Sequence, residues 1–360
     1  MQPPISAWPG IDVAKLGDYL ASAVDGYDQL AGLTVERLPG GRSNLTYLLT
    51  QAHQQWVLRR PPLGHVMPSG HDMAREFRML SFLSEHIFPA PQPIALCEDE
   101  SVLGVVFQVL RYVPGLVISG PDKVRSLSGA EIDHLCHELI RVLAQLHELP
   151  VPGMPPGRSA SSADYLRRQL TRWTQQWQHT KTRELPAFEQ LTQWLSAAVN
   201  DVPKDLQVTI VHGDYRLENL VVDPASKDIS AVLDWEMSTQ GDPLMDLALL
   251  LVYWEQPGEP LRQRVALAPD LTTASDFWSR DRLIEEYADI AALRIDRRHL
   301  STCVALACLK LAVVMESIHY RYLAGQTVDE LSAGMAAAAP ALLEMGVRIS
   351  RGAGMDDFAR

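Results

Sequence analysis

From Leu33 to Val113 the chain reads mostly as short strands. "TVERL" is followed by the turn "PGGRSN", then "LTYLLT", a polar turn and "QWVLRRP". Short β-branched or aromatic runs separated by Gly, Pro and Asn predict a three-stranded meander with tight turns. The next segment, "DMAREFRMLSFLSEH", changes period. Met73, Phe77, Leu80, Leu83 and Ile87 recur at helical spacing. Glu76, three residues after Met73 and four before Leu80, falls on the inward face of that helix. A carboxylate placed there calls for a partner. Two further strand-like runs, "QPIALCE" and "GVVFQVLRYV", complete the region, and Pro114-Gly115 breaks it.

Beyond residue 116 the pattern is mainly helical. Ser128 and Glu131 form a capping-box signal ahead of Ile132, Leu135, Leu139, Leu143 and Leu146. "PVPGMPPGRSASS" reads as a linker or loop. A long amphipathic segment carries Trp173, Trp177 and Trp194, and three or four helices are expected toward the C-terminus. Between them lies "TIVHGDYRLENLVVD", in which two aliphatic runs of strand character flank a polar loop. There is no internal repeat. The pattern therefore predicts an α+β chain of two regions: residues 1–113 with a small antiparallel sheet and one key helix, and residues 114–360, larger and mainly helical.

Composition narrows the function classes. The 360 residues carry a net charge of −12, which argues against nucleic-acid or anionic-membrane binding. Cys97, Cys136, Cys303 and Cys308 are scattered without a CxxC pair, as expected of reduced core thiols in a cytoplasmic protein. The first residues show no secretory pattern. The apolar runs around Leu244–Trp254 and Cys303–Met315 contain Asp246 and Lys310 and read as too short to span a bilayer.

The polar loop supplies the candidate chemistry. Asp214 and Asn219 stand five apart, and Asp234 ends another apolar run, "AVLDWE". Two hard oxygen ligands on neighbouring loops suit Mg²⁺, which pairs one or two carboxylates with substrate phosphates. A remaining carboxylate can deprotonate a hydroxyl. A glycine turn between strands can lay backbone N–H groups over phosphates, and an inward Glu can hold a cation that grips them. These are the parts needed for phosphoryl transfer.

H-G-D-x-x-x-x-N with L-D-W-E and "GDPLMDLA" downstream resembles the aminoglycoside phosphotransferase-type branch of the protein-kinase-like fold. Through "VLRRPP" and "TRWTQQWQHTKTRELP" the chain looks most like the phosphotransferase domains fused to acyl-CoA dehydrogenases. The resemblance covers roughly residues 30–325. It implies a two-lobed fold that binds MgATP or MgGTP and phosphorylates a small hydroxylated molecule. Asp214 would be the base, Asn219 and Asp234 the Mg²⁺ ligands, and Arg216 a cation reaching the transferring phosphoryl. Arg59 would stand in for the phosphate-binding strand lysine and pair with Glu76. Gly40, Gly41, Arg42, Ser43 and Asn44 would cover the phosphates, and the backbone of Val109, Leu110, Arg111 and Tyr112 would meet the nucleotide base. Asp246 would brace the catalytic loop. The family pattern is broken twice: an Arg replaces the strand Lys, and "GGRSN" lacks a full GxGxxG.

Simpler roles compete at several positions. His212 is expected to pack and hold the loop, Asp242 to cap the following helix, and the Cys303/Cys308 helix to be core and not a metal site. Trp173 and Trp177 would pack in the helical region or line the acceptor pocket. A hydrolase is disfavoured because GxSxG is absent. A nucleotide-binding regulatory module is the alternative from another class, disfavoured by the intact Asp214, Asn219 and Asp234. The acceptor is left open among aminoglycosides, sugars, amino alcohols and hydroxyacyl thioesters.

Overall fold

A computed structural model describes all residues except 1–7, 39–43, 64–71, 152–160, 204, 205, 207, 266–270, 275 and 326–334. The chain divides into two compact units. One comprises the described residues of Met1–Gly115 together with Ser230–Ser238. The other comprises those of Leu116–Pro152, Pro156–Ile229 and Thr239–Arg360.

The first unit is built on a five-stranded antiparallel sheet in the order β1-β2-β3-β5-β4. Its strands are β1 (Thr34–Arg37), β2 (Leu45–Gln51), β3 (Gln54–Arg60), β4 (Pro93–Cys97) and β5 (Phe107–Arg111). The first three are the meander that alternation predicts. Tyr47 and Leu49 on β2 and Trp56 and Leu58 on β3 point to one buried face. That face is covered by α1 (Val13–Ala23), an element the strand pattern did not announce, through Leu16 and Leu20. Asp12 caps α1 by accepting from the Ala14 and Lys15 N–H groups.

Helix α2 (Met73–Glu85) starts at its Asp72 cap, as the period change implied. Its buried stripe differs from the predicted one. Met73, Leu80 and Leu83 are inside, but Phe77 is only half-buried and Ile87 is 89% exposed, while Met79 and Phe82 take their places. Ile87 lies past the helix end at φ 54°, because the chain closes there in a Schellman pattern: Phe88 N–H donates to Leu83 O and Ile87 N–H to Ser84 O. A short helix, α3 (Glu100–Leu103), leads into β5.

In the second unit, β6 (Leu116–Val117) and α4 (Pro121–Arg125) precede α5 (Gly129–Glu148). The capping box is present: the Ser128 hydroxyl accepts from Glu131 N–H, and Glu131 accepts from Ser128 N–H. Ile132, Leu135, Leu139, Leu143 and Leu146 are all buried. Ser161, at the edge of the expected linker, caps α6 (Ser162–Thr180), which is followed by α7 (Pro186–Asp201). Most of that linker lies outside the described residues. Strand β7 (Thr209–Val211) leads into the polar loop and β8 (Leu220–Val222) leaves it, pairing with β6. Strand β9 (Ile229–Val232) carries the chain back to the first unit, and β10 (Thr239–Gly241) returns to pair with β7.

The remaining helices are α8 (Leu244–Tyr253), α9 (Pro260–Gln263), α10 (Arg280–Ile290), α11 (Arg297–Leu323) and α12 (Ala338–Ser350). Helix α11 is longer than the apolar run read from the sequence. By length and composition it could cross a membrane, which corrects that reading, yet 78% of its most apolar window is buried within the protein. It packs against α6, α7, α8 and α12 as the core helix of this unit.

Candidate active site

The first unit gathers Arg59, Glu76 and Asp234. Arg59 on β3 and Gln108 on β5 are register partners, so their side chains leave the same face of the sheet. Both reach Glu76 on α2: Arg59 Nη1 lies 3.0 Å from Oε1, and Gln108 Nε2 donates to Oε2 at 2.7 Å. Asp234 follows β9 at φ 67° and ψ 64°, a left-handed conformation uncommon for a non-glycine residue. That bend turns its carboxylate toward Arg59, whose Nη2 donates to Oδ1 at 2.9 Å. Burial works against the Arg59 charge, but Glu76 and Asp234 more than offset it and raise its pKa. Glu76 is fully buried, and burial pushes its carboxyl up; Arg59 recovers part of that cost.

Of the other predicted nucleotide contacts, Asn44, Val109, Leu110, Arg111 and Tyr112 are among the described residues. Asn44 is buried, and its Nδ2 donates to Glu236 at 2.9 Å. Gly40, Gly41, Arg42 and Ser43 lie outside the described residues. Val109 and Leu110 sit inside β5, between β3 and β4. The Arg111 N–H donates to Gln92 O at 2.8 Å and the Tyr112 N–H to Gln55 O at 3.3 Å.

The second unit holds the His212–Asn219 loop. Its backbone is drawn onto Asp246, which accepts from His212 N–H at 2.6 Å and Gly213 N–H at 2.7 Å. Burial works against the charge on Asp246, yet His147, His212 and the Gly213 N–H hold its carboxyl below the usual carboxylate range. Gly213 has φ 83°, and its carbonyl accepts from the buried Lys310 Nζ, a hydrogen bond that explains a lysine inside α11. His212 is buried, and its Nδ1 accepts from Asp214 N–H at 3.1 Å, the holding role expected of it.

Asp214 is gripped from several sides. Asn219 Nδ2 donates to its backbone carbonyl at 2.8 Å and to Oδ2 at 3.2 Å. Tyr253 Oη donates to Oδ1 at 2.9 Å. Arg216 Nε lies 3.5 Å from Oδ2, while its Nη1 pairs with Glu218 at 3.0 Å and its guanidinium lies 4.9 Å from the Tyr253 ring centroid. With the Asn219 amide nitrogen turned to Asp214, its side-chain oxygen is the atom left to ligate a cation. That oxygen in the second unit, and the Asp234 carboxylate in the first, are each hard donors of the type Mg²⁺ takes.

Sequence reasoning named Asp214, Arg216, Asn219 and Asp246, which the structure brings into one cluster, and paired Arg59 with Glu76; it grouped Asp234 with Asn219, and did not foresee the bond of Asp234 to Arg59. It missed Gln108, Tyr253 and Lys310. Gln108 and Tyr253 sit in apolar runs where periodicity assigns them to packing; only the pairing of Gln108 with Arg59 across the sheet and the hydrogen bond from Tyr253 to Asp214 give them away. Trp177 and Trp173 are both buried in the core: Trp177 stacks on Phe188 at 4.5 Å, and the Trp173 ring centroid lies 5.9 Å from Lys310 Nζ. Asp242, expected to cap α8, stands one residue before its N-cap Pro243 and accepts from Leu244 N–H at 2.9 Å. Cys303 and Cys308 are core, but Cys303 also lies with His299 and Asp242, their ligand atoms within 4.8 Å of one another. A 2.6 Å hydrogen bond joins His299 Nε2 and Asp242 Oδ2 within that group.

Comparison with known proteins places these clusters in context. A model of the phosphotransferase enzyme family matches residues 34–293. Human acyl-CoA dehydrogenase family member 11 is 32% identical over 344 residues, covering 94% of this chain and 43% of that protein. The chain thus spans less than half the length of this relative. A Ralstonia eutropha protein provisionally described as an aminoglycoside phosphotransferase superposes with a TM-score of 0.77 at 28% identity, covering 95% of this chain and 99% of that one. The aminoglycoside phosphotransferase APH(4)-Ia, in a ternary complex with AMP-PNP and hygromycin B, has a TM-score of 0.61 at 16% identity over 94% of this chain and 99% of its own. The fold is therefore the protein-kinase-like one, with an antiparallel sheet in the N-terminal region and a mostly helical remainder.

Proposed function

Because the chain belongs to the phosphotransferase enzyme family, we propose that it moves the γ-phosphoryl of MgATP or MgGTP to a hydroxyl of a small molecule, with Asp214 as the base. The observation that carries this reading is the state of Asp214. Its carboxylate is held by Asn219 on one oxygen and Tyr253 on the other, in a loop whose backbone is tied to a buried acid. A side chain held so firmly and still partly exposed is suited to receive a proton from a positioned alcohol.

The remaining residues take complementary roles. Asp214 accepts the acceptor's proton as its oxygen attacks the γ-phosphorus and the bond to the β-phosphate oxygen breaks. Arg216 offsets charge on the transferring group. Arg59, oriented by Glu76, grips the nucleotide phosphates with its planar fork. The glycine-containing stretch Gly40–Asn44, read from sequence, would serve to cover those phosphates, and the Val109–Tyr112 backbone would meet the base. Asn219 and Asp234 would hold Mg²⁺, which would supply neutralisation of phosphate charge when bound. The acceptor is a small hydroxylated molecule: an aminoglycoside, sugar, amino alcohol or hydroxyacyl thioester. The four buried free cysteines suit a reducing, cytoplasmic setting.

A thermal-shift series tests the nucleotide site. Wild type and Asp234→Ala are melted with MgATP, MgGTP and nucleotide without metal. A magnesium-dependent rise in melting temperature, absent in Asp234→Ala, is expected; at a hundredfold excess over Kd it corresponds to about 2.7 kcal/mol. Asp214→Asn should keep that rise and lose about 10²–10⁴-fold in turnover. Full turnover in Asp214→Asn would remove it as the base. No shift with any nucleotide would favour a regulatory module instead.

A further inference from the structure

We propose, building on the phosphotransfer reading above, that Tyr253 is a positioning residue whose hydroxyl fixes the reactive orientation of the Asp214 carboxylate. The argument begins with helical spacing. Asp246 and Tyr253 are seven residues apart in α8, so they lie on one face of that helix, two turns from each other. Asp246 takes the N–H groups of His212 and Gly213, and Tyr253 donates to the side chain of the next residue, Asp214. One face of α8 thus grips three consecutive residues of the loop.

Holding a carboxylate requires that the holder itself not move. Tyr253 is the last residue of α8, where helices ordinarily fray and leave carbonyls without partners. Here those carbonyls are taken by buried arginines. Arg262 donates to Tyr253 O through Nε at 3.1 Å and Nη2 at 2.8 Å. Arg280 donates to Leu251 O at 2.8 Å and also to Trp254 O. Arg280 is itself paired with the buried Glu259, whose Oε2 lies 2.8 Å from Nη2. The ring is fixed at its backbone end and lies under Arg216 at its face. Burial and the adjacent Asp214 charge keep the phenol protonated, so it remains a donor.

Asp214 then has Oδ1 bonded to Tyr253 and Oδ2 bonded to Asn219. Each carboxylate oxygen accepts more than one hydrogen bond, which leaves capacity for an acceptor hydroxyl. Rotation about the terminal side-chain torsion, otherwise broad and two-fold, is blocked. Without the Tyr253 hydroxyl one side of that clamp opens, and misalignment of a reacting group is costly to rate while leaving nucleotide binding intact.

The test uses MgATP with water as the acceptor, followed as inorganic phosphate release at saturating MgATP in wild type, Asp214→Asn, Tyr253→Phe and Tyr253→Leu. Tyr253→Phe keeps the ring and its contact with Arg216. It should lower kcat roughly tenfold, about the loss of one hydrogen bond to a charged group, with KM for MgATP and melting temperature unchanged. Tyr253→Leu should be no faster than Tyr253→Phe. A purely packing role predicts that phenylalanine restores the wild-type rate, so kcat within twofold of wild type in Tyr253→Phe overturns the proposal. So does a rate increase, which would mean that the phenol merely occupies the acceptor's place. If Asp214→Asn turns over like wild type, the base assignment fails instead. Absence of phosphate release in wild type, with the magnesium-dependent thermal shift present, overturns the claim that the Tyr253 clamp holds Asp214 in a reactive orientation without the acceptor, and leaves the phosphotransfer reading to the thermal-shift series.

Discussion

Replacing Asp246 should cost more stability than replacing any surface acid, and its structural partners set the size of the effect. The carboxylate is fully buried and takes two backbone N–H groups at 2.6 and 2.7 Å, with His147 Nε2 at 3.4 Å. Hydrogen bonds to a charged group are worth about 1.5–3 kcal/mol each, and donors left buried without an acceptor bear their desolvation cost. Asp246→Ala removes both bonds and should therefore destabilise the protein by about 3–6 kcal/mol. Asp246→Asn preserves shape and one acceptor oxygen, but turns an amide nitrogen toward a backbone N–H; about 2–3 kcal/mol is expected. Urea denaturation gives the free energies, and hydrogen exchange at the His212 and Gly213 amides gives the local consequence. Both amides should lose protection in either variant. The sign of the pH dependence follows from the depressed pKa. Its contribution is complete above the unfolded carboxylate range, near ~4, and is lost as pH falls through the lower folded value. A loss under about 1 kcal/mol in Asp246→Ala, with both amides still protected, would refute the view that this acid holds the loop.

Two further substitutions probe local physics outside the site. Ile87 is a β-branched residue in the left-handed region with its side chain 89% exposed, so Ile87→Gly relieves strain and gives up no packing. A gain of about 1 kcal/mol, a rise of roughly 2–4 °C in melting temperature, is expected; an unchanged or lower value counts against the strain. Glu131 accepts from Ser128 and pairs with Lys227 at 3.0 Å, and these contacts lower its pKa to about 2. A depressed carboxyl stabilises above its unfolded value, so wild type should melt above Glu131→Gln at neutral pH. The gap should close as pH falls from ~4.5 toward 2, and one that persists at pH 2 would show that the cap works without its charge.

Much of the molecule was legible in the chain because local rules suffice to write it. Alternation defined the meander, the change of period announced α2, and Ser128-x-x-Glu131 marked the start of α5. Glu76 was legible as an inward acid by counting from Met73 to Leu80, since helical geometry alone decides which face a residue takes. The stripe failed at Ile87 because a helix end is closed by backbone hydrogen bonds that hydrophobic period does not encode. Helix α1 and the length of α11 were missed for related reasons. One lies ahead of the strand pattern, and the other continues through polar residues that tertiary packing tolerates.

The chain by itself marked the candidate residues: an Asp and an Asn five apart between strands, an inward Glu, and an Arg on a strand. Their types and spacings are properties of local sequence. Only the tertiary structure decided who holds them. Gln108 reaches Glu76 because β3 and β5 pair in one particular register, and Asp246 and Tyr253 reach the loop because α8 packs with that face toward it. Such partnerships join residues tens of positions apart, and no periodicity in the chain records them. They arise when buried polar groups must find partners, and which partner is near enough is settled only once the elements have packed.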